Sequence, residues 1–151
     1  PAWPDGKYDT ALAWVSLIIT SYINNNMTAV IECPMFHGWT QNYGRHNHGS
    51  AYLNDPWSGY FELDAPFVAQ AHFSQLVPIG WYFLVAGRGS GTIGSAVPFV
   101  TLVAPDGAGF TMTFVNTGAD AVALDLRLAN LPQPAVGRAV HVWTTERLRV
   151  F

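Results

Sequence analysis

The sequence predicts a mainly β protein, an antiparallel β-sandwich preceded by one αβ unit. Two patterns predict this architecture: an amphipathic run followed by a short apolar run in residues 11–32, and short strand-like segments separated by turns from residue 59 onward. Between them, residues 42–61 concentrate histidine, tyrosine, glycine and tryptophan. This composition is typical of the rim of a sugar-binding cleft and is not needed in an apolar core.

Composition limits the class of protein. A length of 151 residues is enough for one domain with a core. Half of the residues are apolar and 11% are charged, which excludes a disordered chain. The net charge of −3 predicts no nucleic-acid partner. Residues 11–19, the longest apolar run, are too few to span a bilayer, and the single Cys33 excludes an internal disulfide.

The first element is a predicted helix. Apolar residues recur at three- and four-residue spacing from Ala11 to Tyr22, which predicts a wide buried face. Asp9 or Thr10 is expected to cap its amino end. The asparagines at 24–26 are expected to end it, because Asn tolerates the left-handed backbone of a helix terminus.

A buried strand is predicted at Met27–Glu32, closed by Pro34, which cannot donate to a sheet ladder. Helix and strand together form half of a βαβ unit, and a (β/α)8 barrel takes roughly 250 residues. Residues 1–44 are therefore predicted to be the last helix and strand of such a barrel. We expect residues 11–31 to be covered by the remainder of the barrel or by a homo-oligomer partner.

Residues 45–151 are predicted to form the β-sandwich. Residues from Val122 to Leu128 alternate apolar and polar, as expected of a half-buried strand. Gly87–Gly94 is predicted to be a hairpin loop. The predicted strands are Gly59–Leu63, Pro66–Phe73, Trp81–Val85, Pro98–Ala104, Phe110–Asn116, Ala121–Leu128 and Ala139–Thr144.

Several short motifs carry a resemblance to a known family. They are NMT at residues 26–28, YGR at 43–45, PWSG at 56–59 and GWYFL at 80–84. In this order the sequence resembles glycoside hydrolase family 59, the galactocerebrosidase family, over residues 20–86. The resemblance implies a TIM barrel followed by a β-sandwich and a lectin-like domain. It also implies a retaining β-galactosidase that acts on galactosylceramide and related galactosides without a cofactor.

The resemblance also implies roles for individual residues. Retaining hydrolysis needs two carboxylates roughly 5–5.5 Å apart, and in the family these lie on earlier barrel strands. This chain is therefore expected to hold part of the sugar-site rim and to be inactive alone. Tyr43 matches a family tyrosine in the sugar site. Cys33 stands where the family has a substrate-contacting tryptophan, and we hypothesise that Trp39 restores the lost stacking surface.

Two charged residues near this rim have alternative roles. Glu32, at the end of the predicted strand, is either a third carboxylate in the cleft or the ion-pair partner of Arg45. Arg45 either orients Tyr43 or reaches the substrate, or it joins the two domains by pairing with Asp55 or Asp64.

Other motifs have mainly structural interpretations. His37, His46 and His48 lack the spacing of a known metal motif, so no metal is predicted. Trp57 is expected to fill an interdomain contact and Trp81 to lie in the core. Asn26-Met27-Thr28 is a glycosylation sequon whose use depends on secretion. A secreted or lysosomal location follows only if the resemblance holds.

Two functions remain open from the sequence. The first is a fragment of a galactocerebrosidase-like retaining β-galactosidase that supplies rim and sandwich. The second is a stand-alone, non-catalytic sandwich, either a monomer or a dimer, that binds carbohydrate or protein.

Overall fold

The computed structural model describes residues 8–31, 35–38, 50–53, 55–127, 129 and 139–145. Two α-helices, one 3₁₀ helix and seven strands are present in these ranges. The elements, in chain order, are α1 (Tyr8–Asn25), β1 (Phe36–Gly38), β2 (Ala51–Leu53), a 3₁₀ helix (Pro56–Ser58), β3 (Glu62–Leu63), α2 (Ala65–Ser74), β4 (Tyr82–Phe83), β5 (Gly91–Ile93), β6 (Val97–Val103) and β7 (Phe110–Phe114).

The strands form two sheets. The smaller sheet has the order β1-β2-β3, with β1 parallel to β2 and β3 antiparallel to β2. In the larger sheet, β6 pairs antiparallel with β7, with β5 near its amino end and with β4 near its carboxyl end. Largely antiparallel sheets with two helices confirm a β-rich class. Their arrangement as a sandwich, and the division at residue 44, stay predictions.

The core forms where α1 packs against α2 and β6. Helical periodicity places Ala11, Val15 and Ile19 on one face of α1, and all three are buried, Ile19 completely. They meet the small side chain of Ala69 from α2 and the fully buried Val100 from β6. The predicted amphipathic helix is therefore present, and its apolar face is covered by this same chain.

The two ends of α1 differ in how well they were predicted. The helix begins at Tyr8, so Asp9 lies in the first turn and not at the predicted cap position. A carboxylate there still interacts favourably with the free N–H groups of the helix terminus. At the other end the prediction is confirmed. Asn26 has a left-handed backbone with φ of 52°, and the Met27 N–H donates to the Ser21 carbonyl at 3.1 Å.

The predicted strand at Met27–Glu32 is not formed in its described part. Residues 27–31 have no regular structure and are exposed, with Ile31 88% exposed. A strand is stabilised by its neighbours, and no described strand pairs with these residues. The buried face of α1 therefore does not need the contact with the remainder of a barrel or with a partner subunit that was predicted for residues 11–31. Such a contact stays a prediction for the exposed residues 27–31.

The predicted strand at Pro66–Phe73 is wrong, because these residues lie in α2. The sequence does contain a helix-start signal: Asp64 at the N-cap has an extended backbone, and Pro66 lies in the first turn, where its missing N–H costs nothing. Alanines at 65, 69 and 71 favour the helix, and Ala65 and Ala69 pack in or against the core cluster that contains the buried face of α1. The aromatic and β-branched residues at 67–68 suggested a strand but do not outweigh these features.

Two further predicted strands are not found. The described parts of Ala121–Leu128 and Ala139–Thr144 are exposed and have no regular structure. An alternating pattern makes a strand only if a ladder partner is present, and none of the described strands supplies one. In contrast, β5 forms within the predicted hairpin loop, where Gly91–Ile93 pairs with the amino end of β6.

One side-chain hydrogen bond ties the late segment 139–145 to α2. His72, in the last turn of α2, lies with Nε2 2.8 Å from Thr145 Oγ1. Partial burial disfavours the charged imidazole and lowers the pKa of His72 from its ordinary value of 6.5. Over the described ranges, neither helix has the length and hydropathy needed to cross a membrane.

Truncation of the Ile19 side chain should destabilise the fold. Ile19→Ala is expected to lower the free energy of unfolding by about 2–5 kcal/mol, because a fully buried side chain leaves a cavity. Leu17→Ala is the matched control in the same helix, where the side chain is 42% exposed, and should cost much less. Urea unfolding followed by circular dichroism measures both. Equal losses would contradict the packing of α1.

His72 should make stability depend on pH. Because its folded pKa is lowered, the unfolded chain binds more protons just below pH 6.5. The stabilisation is complete above pH 6.5 and is lost as the pH falls through the lowered folded pKa. His72→Gln should flatten the dependence of unfolding free energy on pH in this window. An imidazole titration by NMR should give a pKa below 6.5, and a value above it would refute the assignment.

Candidate functional site

The five predicted site residues lie outside the described part of the chain. They are Glu32, Cys33, Trp39, Tyr43 and Arg45. Their assignment to a sugar-site rim therefore stays a prediction. What the structure describes is a framework of segments that lie before and after them in the sequence: the end of α1, the small sheet, and the segment from residue 55 to α2.

Two strands of the small sheet, β1 and β2, flank Trp39, Tyr43 and Arg45 in the sequence. Because β1 and β2 are parallel, Gly38 at the carboxyl end of β1 and Ala51 at the amino end of β2 lie at opposite ends of the sheet. Trp39 directly follows the carboxyl end of β1 in the sequence. In α/β proteins, ligand-binding residues are frequent at the carboxyl ends of parallel strands.

Ser50 connects this framework to the rest of the fold. It is buried, its N–H donates to the Met35 carbonyl at 3.1 Å, and its carbonyl accepts from the Asp64 N–H at 2.9 Å. Its hydroxyl oxygen accepts from the Gln70 amide at 3.4 Å, which reaches α2. Serine is suited to this position because it is small and its N–H, carbonyl and hydroxyl groups can each bond to a different segment, at Met35, Asp64 and Gln70. Sequence reasoning missed it, since a single serine carries no pattern.

The most exposed aromatic group of the framework lies in Asp55–Phe61, here called the aromatic segment. Trp57 is 91% exposed and Tyr60 62% exposed, and Phe61 is also exposed. The composition of residues 42–61 predicted a polar and aromatic surface. The exposed residues 55 and 57–61 agree with this prediction, whereas Ser50, Ala51 and Tyr52 are buried. Individual roles for Tyr60 and Phe61 were not predicted.

Local hydrogen bonds fix the backbone of the aromatic segment. The Asp55 carboxylate accepts from the Trp57 N–H at 3.3 Å. The Ser58 hydroxyl donates to the Asp55 carbonyl at 2.7 Å and accepts from the Tyr60 N–H at 3.0 Å. Gly59 takes the left-handed backbone, with φ of 75°, that reverses the chain. The aromatic rings are therefore displayed from an ordered turn.

The aromatic segment can bind in two ways. A tryptophan or tyrosine face stacks on the apolar C–H face of a sugar, while the tyrosine hydroxyl pairs with sugar oxygens. The same rings can also be buried against protein. The interdomain contact expected of Trp57 is not made within the described residues. Trp81, as expected, packs against the core.

A metal centre has no support in the described residues, which contain no group of three histidine, cysteine, aspartate or glutamate side chains able to hold an ion. His46 and His48 lie outside the described ranges, and only the backbone of His37 is described. The expectation of no metal therefore stays a prediction.

Comparison with known proteins identifies relatives of this region. The profile of Glycosyl hydrolase family 59 matches residues 2–75. A galactocerebrosidase of Danio rerio is 26% identical over 88 residues, which are 54% of this chain and 13% of that protein. The galactocerebrosidases of Mus musculus and Homo sapiens are 33% and 32% identical over 73 residues, each covering 47% of this chain and 10% of the relative.

The matched region contains α1, the small sheet, the aromatic segment and α2, together with all five predicted rim residues. The chain spans about a tenth of the length of the curated relatives it matches. Residues 2–75 of this chain are therefore similar to glycosyl hydrolase family 59.

Proposed function

We propose that this chain supplies part of the sugar-site rim of a galactocerebrosidase-like retaining β-galactosidase. One observation carries the proposal: the family match over residues 2–75 includes every residue to which the sequence motifs assign a rim role. The relatives that match the same region are named galactocerebrosidases. The catalytic carboxylates are proposed to lie in a part of the enzyme that this chain does not contain.

In this proposal the rim residues have distinct roles. Tyr43 offers a flat face to the sugar ring and a hydroxyl to its oxygens. Trp39 provides the stacking surface that Cys33 cannot. Arg45 and Glu32 are either sugar-contacting or paired with each other, and a charged pair next to the sugar would orient its hydroxyl groups.

Hydrogen bonds within the described framework support this proposal. Ser50 ties β2 to both β1 and α2, so the two described segments on either side of the predicted rim are held by hydrogen bonds. A rim fixed on an ordered framework loses less conformational entropy when it binds a ligand.

A second candidate is the stand-alone binding module, which the aromatic segment favours. Its rings are exposed on an ordered turn and need no barrel to be displayed. In that case sugar or protein would bind at Trp57, and the predicted rim would be irrelevant.

Hydrolysis separates the two candidates. This chain alone is expected to release no 4-nitrophenol from 4-nitrophenyl β-galactoside, because retaining hydrolysis needs two carboxylates roughly 5–5.5 Å apart that lie elsewhere. The full-length gene product is expected to hydrolyse the same compound. Hydrolysis by this chain alone would refute the location of the catalytic pair. A full-length product that binds galactosides without cleaving them would favour the binding module.

Tryptophan variants of the full-length product then test the rim. Trp39→Ala should raise KM for the galactoside about 2- to 10-fold with kcat nearly unchanged, since stacking contributes about 0.5–1.5 kcal/mol to ground state and transition state alike. Trp143→Ala is the matched control, because Trp143 is exposed and lies outside residues 2–75. An unchanged KM for Trp39→Ala would reject this stacking role. A rise for Trp57→Ala instead would move the binding site to the aromatic segment.

A further inference from the structure

We propose that β7 is the interface of a two-fold symmetric homodimer, in which β7 of one protomer pairs antiparallel with β7 of its partner. This inference does not depend on the proposed function, because β7 lies outside residues 2–75, the region similar to glycosyl hydrolase family 59. It also concerns a different surface from the oligomer contact predicted for residues 11–31. It rests on the outer edge of β7, on the lack of charge there, and on the symmetry of the β7 sequence.

The outer edge of β7 carries backbone groups that no described strand uses. Among the described strands, β7 pairs with β6 alone. The Val115 N–H donates to the Pro98 carbonyl at 3.2 Å, so the backbone of this residue faces β6. Backbone groups of successive residues in a strand point to opposite sides. The N–H and C=O groups of Phe110, Met112 and Phe114 therefore point to the outer edge of the sheet.

This outer edge lacks the features that usually prevent an edge strand from pairing. Such features are charged side chains, proline, bulges and very short strands. On the other side of β6, the sheet edge is divided between β4, with two residues, and β5, with three. In contrast, β7 has five residues in a continuous register with β6, and residues 107–119 contain no charged side chain. The edge of β7 is therefore suited to pairing with a further strand.

The sequence of β7 suits a second copy of itself. Phe110-Thr111-Met112-Thr113-Phe114 reads the same in both directions. In an antiparallel pair centred on Met112, this residue meets the partner's Met112, and Phe110 meets the partner's Phe114. The backbone groups of these residues point outward, so each pair exchanges both N–H···O hydrogen bonds. A two-fold axis relates the two identical edges and closes the assembly as a dimer.

The side chains of β7 are compatible with this pairing. Thr113 is buried and pairs with Val100 of the core cluster, so the threonines of β7 lie on the side of the sheet that faces α1. The aromatic residues lie on the opposite side, where the rings of Phe99 and Phe114 stack with centroids 5.4 Å apart. Pairing across the axis therefore places phenylalanine opposite phenylalanine and brings no like charges together, and aromatic cross-strand pairs stabilise a sheet.

Sedimentation velocity of this chain tests the dimer. The wild type should sediment as a particle of twice the monomer mass of 16.5 kDa. Met112→Pro should give the monomer mass, because it removes an outward N–H and leaves the hydrogen bonds between β7 and β6 in place. A monomeric wild type, as expected if residues 121–127 of the same chain pair with β7, would overturn the proposal. A dimer that persists in a folded Met112→Pro would also overturn it.

The matched control is Ile93→Lys, on β5. Ile93 pairs with Val97, so it lies on the same side of the sheet as Phe99 and Phe114, and it is 38% exposed. Because β5 lies across β6 from the proposed interface, this variant should remain a dimer. Loss of the dimer in Ile93→Lys would show that the two sheets pack face to face and would contradict edge pairing.

Opposite charges at the two-fold axis test the register. Met112→Lys and Met112→Glu should each be monomeric, because identical charges would lie directly opposite each other. An equal mixture of the two should restore a dimer with one copy of each, since lysine then meets glutamate. Native mass spectrometry identifies the mixed dimer, and circular dichroism checks that both variants are folded, so this test stands even if Met112→Pro does not fold. Variants that dimerise alone, or a mixture that stays monomeric, would refute the pairing at Met112.

Discussion

The burial of one face of α1 against α2 and β6 is the contact on which the rest of the described fold depends. Ile19 and Val100 are fully buried in the same cluster, and Ala69 allows α2 to approach closely. Through α2 and Gln70, the same cluster positions Ser50 and therefore the small sheet. The described segments on either side of the predicted sugar rim therefore depend on the packing of α1 against α2 and β6.

Sequence patterns predicted the elements whose stability is local or strongly periodic. The apolar spacing of α1 was sufficient to predict a helix. The apolar, aromatic and β-branched residues of β6 and β7 were sufficient to predict strands. Sequence patterns predicted strands wrongly where a strand needs a neighbouring strand to pair with it. Residues 27–31 and 121–127 have suitable apolar side chains but no ladder partner among the described strands. In α2, aromatic and β-branched residues concealed a helix whose start was marked by Asp64 and Pro66.

The resemblance to glycosyl hydrolase family 59 could be predicted from short motifs, and the match over residues 2–75 confirms that resemblance. The site could be predicted only through that resemblance, since a sugar rim is defined by the substrate and by groups from several strands. Composition did identify an aromatic region between the two patterns. It could not show that Trp57 is almost fully exposed, because exposure depends on what packs beside the 3₁₀ helix.

The exposed apolar side chains of the matched region differ in what could cover them. Trp57 and Tyr60 have flat faces that suit either a sugar ring or a protein surface. Ile31 is 88% exposed and purely aliphatic, so it offers a sugar no stacking face and no hydrogen bond. Burial of Ile31 against protein would be favourable by the hydrophobic effect. In the sequence, Ile31 lies before the predicted rim and Trp57 and Tyr60 lie after it, so the exposed side chains on its two flanks favour different kinds of contact.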